Sequence, residues 1–116
     1  MYRSFVDSRC KDGDEILSEQ TAHQAHLLHM AVGISGEAGE LLDAIKKHAI
    51  YQKELDIENV EEELGDLLFY ITGIMNAINI RNADYLTTKN QQKLTKRYPS
   101  GSYSNEQAQD RADKED

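Results

Sequence analysis

Two short phrases in this chain of 116 residues hold the side chains best suited to chemistry. Glu37 and Glu40 lie in Glu37-Ala38-Gly39-Glu40-Leu41-Leu42-Asp43-Ala44-Ile45. Glu63 and Asp66 lie 26 residues further on, in Glu63-Leu64-Gly65-Asp66-Leu67-Leu68-Phe69-Tyr70-Ile71. Both read acid, spacer, glycine, acid, Leu-Leu, two spacers, isoleucine. A helix turns by roughly 100° per residue, so positions three apart lie about 60° apart on one face. Each phrase thus sets two carboxylates one turn apart beside an apolar stripe. Two such helices laid together would converge four carboxylates on one point. Hard oxygen donors suit Mg²⁺ or Mn²⁺, and Mg²⁺ takes waters and substrate phosphates as its remaining ligands. A di-iron carboxylate site would put Glu-x-x-His on each of two helices, which neither phrase does. Against a site stands the commoner meaning of one such acid pair, a solvated helix face. Two copies in matching register weigh for the site.

The elements that must position these acids are helical. Thr21 with Gln24 three residues on forms a capping-box signature, and the pattern runs on to about Tyr51. Leu27, Met30, Ala31, Ile34, Ala38, Leu41, Leu42 and Ile45 share one face, the expected buried one. His26, His29 and Lys47 fall on the arc of Glu37 and Glu40. The histidines can ligate a metal or bond a nucleotide base, and Lys47 can steer phosphates, although structural roles are commoner for all three. Asp56 caps a second helix reaching about Asn79, with Leu64, Leu67, Leu68, Ile71, Ile74, Met75 and Ile78 as its stripe. Gly39 and Gly65 hold equivalent places and would let a backbone or a ligand come close. Asn82 caps a further helix through Leu86, Leu94 and Arg97, ended by Pro99-Ser100-Gly101. Near the start, residues 2–11 read as a short helix and Lys11 to Asp14 as a turn. The pattern predicts an all-α antiparallel bundle of about four helices. It assigns one domain to residues 1–103, followed at 104–116 by a polar tail or a short helix capped at Ser104.

Composition narrows the function classes. A formal charge of −8 and a pI near 4.9 argue against nucleic-acid polymers and acidic membranes as partners. They leave a nucleotide open, because a divalent cation inverts the local charge. A single cysteine, Cys10, excludes an internal disulfide and a cysteine-based zinc site. It fits a reducing compartment, and the expected location is cytoplasmic. No apolar run is long enough for a membrane span, and the start lacks a signal-peptide pattern. So small a domain has a small core, so self-association would help it.

The stretch Gly33 to Lys47, then Glu62-Glu63-Leu64-Gly65-Asp66, resembles the MazG-like all-α nucleoside triphosphate pyrophosphohydrolases. Their mark is Glu-x-x-Glu, a gap, then Glu-Glu-x-x-Asp. Asn90-Gln91-Gln92-Lys93-Leu94-Thr95-Lys96-Arg97-Tyr98-Pro99 is similar to the ending of that family's domain. The resemblance implies helical bundles built by a homodimer or homotetramer. It implies Mg²⁺ held by Glu37, Glu40, Glu63 and Asp66, with Glu62 as an outer participant. Lys93, Arg97 and Asn90 would contact the triphosphate, although Lys93 and Arg97 would equally complement a helix C-terminus. The implied reaction cleaves (deoxy)nucleoside triphosphates between the α and β phosphates, for house-cleaning or nucleotide-pool control. The general base falls to Glu40 ahead of Glu37. Two alternatives stay open: a relative with a narrow substrate (dUTP, dCTP or phosphoribosyl-ATP), and a non-catalytic acidic helical oligomer.

Overall fold

Helix runs through the chain in the order α1 (Tyr2–Asp7), α2 (Gly13–Glu19), α3 (Ala22–Ala49), α4 (Ile57–Ala77), α5 (Ala83–Arg97) and α6 (Asn105–Asp110), followed by a 3-10 turn at Ala112–Lys114. A computed structural model describes residues 1–114. Among the described residues there is no strand, and the all-α expectation holds. The chain divides into two units, Met1–Ile78 and Asn79–Asp116.

Helix starts follow local chemistry. The Thr21 hydroxyl accepts from the Gln24 amide at 3.1 Å, and the Gln24 side chain accepts from the Thr21 amide at 2.9 Å, closing the expected capping box. Asp56 accepts from the Asn59 amide at 3.1 Å and starts α4. Asn82 and Ser104 start α5 and α6 in the same way. Asn79, just past the Ile78 C-cap of α4, takes the left-handed region at φ 62°, which asparagine tolerates. The turn expected at Lys11 to Asp14 is instead the start of α2, with Asp12 as its cap and Asp14 and Glu15 in its first turn. Seven residues are too few to show a helical period in sequence.

In the first unit, α3 and α4 pack as an antiparallel pair. His23 donates from Nε2 to the Ala77 carbonyl at 2.9 Å, and His26 donates to the Gly73 carbonyl at 3.3 Å. Further along, the Tyr70 ring lies over Gly33, and the Met30 side chain lies over Gly73. These contacts set the register, and the next turns bring Glu37 opposite Glu63. Of the two approaches that Gly39 and Gly65 would admit, the packing of helix on helix occurs instead at Gly33 and Gly73. A Cβ at Gly39 or Gly65 would meet no atom within 4 Å.

The expected buried stripes are only partly covered. Met30 is buried, and Leu27, Ile34, Leu41, Leu67, Ile74 and Met75 are half-buried, while Ala44, outside the expected stripe, is buried too. Ala31 and Ala38 are exposed, as are Leu42, Ile45, Leu64, Leu68, Ile71 and Ile78. The reason is geometric. Each stripe spans more than 100° of its helix, and a single neighbouring helix covers only part of that arc.

In the second unit, the segment after α5 folds back on it. Arg97 forks onto Asp113 through Nε at 2.7 Å and Nη2 at 3.0 Å. Of the two readings of residues 104–116, the helix forms as α6, and the final two residues lie outside the described residues.

The glycine contacts give a test. Gly33→Ala sets a Cβ into the Tyr70 ring, and overpacking of this kind costs about 1–3 kcal/mol. Gly36→Ala meets nothing within 4 Å and should gain up to about 1 kcal/mol of helix propensity. Thermal melts of the two variants should therefore move in opposite directions.

Candidate metal centre

One carboxylate oxygen from each of Glu37, Glu63 and Asp66 lies within 4.8 Å of the others. Glu37 comes from α3, and Glu63 and Asp66 come from α4. Glu63 is buried, Glu37 is half-buried and Asp66 is exposed, so the cluster opens to solvent on the Asp66 side. Oε2 of Glu37 and Oε2 of Glu63 are buried without a hydrogen-bond partner. Carboxylates offer only acceptors to each other, so two such oxygens need a shared proton or a cation. The carboxyl of Glu63 shows the strain directly. The facing Glu37 carboxylate, its own burial and the nearby Glu40 favour the protonated form and raise it from 4.5 to about 7. Glu40 is exposed and borders an open cleft of about 490 Å³ with Gly36, Gly39, Asp43, Asn59 and Glu63.

The donor set fits a divalent cation. Three carboxylates that repel one another, two of them with orphaned oxygens, sit beside a polar cleft with room for waters or phosphate. Glu37, Glu63 and Asp66 would hold the ion, and Glu40 at the cleft is the fourth candidate. Glu62 is exposed and is not part of the cluster among the described residues.

The remaining sequence candidates have other surroundings. His26 bonds the α4 backbone and borders a separate apolar hollow with Gly65, Leu68 and Phe69. His29 packs edge-on to Tyr70, with ring centroids 6.4 Å apart. Lys47 pairs with Asp43 at 3.0 Å, which places a cation beside the acidic cleft. Asn90 and Lys93 are exposed on α5 in the second unit, and Arg97 in that unit is engaged by Asp113.

Three residues escaped the sequence reading. Asp43 and Asn59 border the cleft. Each lies within a turn of a predicted ligand, three residues after Glu40 and four before Glu63, so helical spacing could have nominated both. Asp113 had no such signal.

A model of the MazG nucleotide pyrophosphohydrolase domain matches residues 24–102. The chain belongs to this family. No significant match was found among curated proteins or among solved structures. The match spans both acidic phrases and all of α5, and it ends before α6. The MazG domain is an all-α fold, in agreement with the helices described above.

The carboxyl of Glu63 gives this MazG-family chain a pH signature. Because its folded value lies above the unfolded one, its stabilising contribution is complete below about 4.5 and is lost as pH rises through about 7. In chelator, the melting temperature should fall between about pH 5 and pH 7 and level off above, and Glu63→Gln should flatten that slope. Millimolar Mg²⁺ should raise the melting temperature more at pH 8 than at pH 6, since proton and cation compete for the same oxygens.

Proposed function

We propose that this chain is a Mg²⁺-dependent pyrophosphohydrolase that cleaves (deoxy)nucleoside triphosphates between the α and β phosphates. One observation carries the reading. Two helices of a MazG-family domain converge Glu37, Glu63 and Asp66 and leave buried carboxylate oxygens that a hard cation would satisfy. Mn²⁺ would serve as a substitute. When bound, the cation supplies charge neutralisation for the phosphate oxygens and for the departing pyrophosphate.

The residues then divide the work. Glu37, Glu63 and Asp66, with Glu40 beside them, would hold the ion through hard oxygen donors that suit Mg²⁺ and Mn²⁺ alike. Glu40 is exposed at the cleft and adjoins Glu63, so it is the better placed of the two base candidates to take the proton of an attacking water. Glu37 is tied into the cluster and serves as a ligand. Water adds to the α-phosphorus, the bond to the bridging oxygen breaks, and that oxygen leaves with pyrophosphate. The products are a nucleoside monophosphate and pyrophosphate. Asn90, Lys93 and Arg97 are assigned to the phosphate chain by their match to the family's ending. Lys47 beside Asp43 offsets part of the acidic charge that a triphosphate would meet.

Self-association belongs to the same proposal. Leu42, Leu68 and Phe69 are each more than 60% exposed, and further members of the apolar stripes of α3 and α4 are left uncovered beside them in sequence. A homodimer or homotetramer would cover them. Light scattering should give a mass of twice or four times the 13.2 kDa chain, and a monomer at micromolar concentration would sink this part.

The activity test is a panel of NTPs and dNTPs with Mg²⁺, read by pyrophosphate release. Release from at least one of them is expected, with none in chelator. Glu63→Ala and Asp66→Ala should each lower turnover by about 100-fold or more while the helical circular dichroism persists. A wild-type chain that releases no pyrophosphate from any member of the panel refutes the reading.

A further inference from the structure

Arg97 is the last residue of α5, and its partner comes from outside the family domain. The match ends at residue 102, while Asp113 lies in the 3-10 turn beyond α6. Several local devices bring it back. The Ser104 hydroxyl accepts from the Gln107 amide at 3.2 Å and starts α6. Arg111 takes a left-handed conformation at φ 49° and ends it. The turn that follows delivers the carboxylate, whose side chain is 0% exposed, while that of Arg97 is 18% exposed.

The pairing uses one edge of the guanidinium. Nε donates to Oδ1 at 2.7 Å and Nη2 donates to Oδ2 at 3.0 Å. A guanidinium has five N–H groups in a planar fork, so both N–H groups of Nη1 and one of Nη2 lie outside this pair. They form a second edge, with the Tyr98 side chain close to the guanidinium, of a shape suited to two oxygens of one phosphate.

We infer that Asp113 is a positioning residue for Arg97. It fixes one edge of the guanidinium in the folded chain, so that the other edge meets a phosphate of the triphosphate already oriented. The inference rests on the proposed function, in which Arg97 contacts phosphate. A rival device would be a latch, with the phosphate displacing Asp113. That would strand a fully buried carboxylate without its partner, the costly way to break an ion pair. Bridging keeps the carboxylate paired throughout. It also spares Arg97 much of the side-chain freedom that a long cation otherwise loses on binding.

The test uses full-length chain and two readouts. One is steady-state kinetics on the best triphosphate of the panel. The other is calorimetric binding of inorganic tripolyphosphate in Mg²⁺, which needs no turnover. Asp113→Asn keeps shape and one acceptor but loses the charge, and should raise KM and the tripolyphosphate Kd about tenfold with kcat little changed. Asp113→Glu should recover part of the loss. Once Arg97→Ala is present, adding Asp113→Asn should cost nothing further. The inference is overturned if Asp113→Asn lowers the melting temperature yet leaves KM and Kd unaltered. It is equally overturned if the two substitutions add, or if Arg97→Ala leaves phosphate affinity intact while hydrolysis proceeds. Tripolyphosphate binding that depends on both residues, in a chain that hydrolyses no triphosphate, would keep the positioning role and discard the proposed activity.

Discussion

Carboxylates repel, and this fold spends packing energy to hold three of them together. The enforcing contacts lie one and two turns away from the cluster, where Tyr70 covers Gly33 and Met30 covers Gly73. Neither place has room for a side chain, so α3 and α4 approach closely along this stretch and in one register. Glu37 then has no choice of neighbour. The stress appears where it should, in the Glu63 carboxyl held near neutrality and in oxygens that nothing in the protein satisfies. A cation would convert that repulsion into binding, so the closeness of the helices and the affinity of such a site would be one constraint viewed from two sides.

The two acidic phrases were legible because spacing, residue type and repetition agreed. Helix periodicity is short-range information, and the caps at Thr21, Asp56, Asn82 and Ser104 are more local still. What sequence misplaced was tertiary. Gly39 and Gly65 looked open to a backbone or a ligand because they share the repeated phrase, and no backbone comes close to either. The contacts fell at Gly33 and Gly73, which depend on where large side chains of the other helix land. The apolar stripes were legible as stripes, and within the single chain they are only partly covered. Periodicity marks a face to be covered but does not say whether this chain covers it. Asp113 was illegible for a third reason. A lone acid in a polar segment gains meaning only through the basic residue it folds back to meet, 16 positions earlier.

The histidines show the limit of angular arithmetic. His26 shares the arc of Glu37, yet it sits three turns earlier, where α3 faces the C-terminal part of α4. Equal angle is not equal place on a helix of 28 residues, which extends about 42 Å at 1.5 Å per residue. His23 and His26 instead tie α3 to carbonyls of α4, which the close packing of the two helices brings within reach.

The short connector at 50–56 shapes how the molecule comes into being. Both halves of the acidic cluster lie on one hairpin of helices, so few intervening residues must be ordered before they meet. Loop closure over so short a span is entropically mild, and contacts of this kind favour rapid folding. On a ribosome the pair can form once α4 has emerged, before α5 is available. The ion would then encounter a nest that is already built, and its arrival would select and tighten a folded hairpin rather than organise a disordered one.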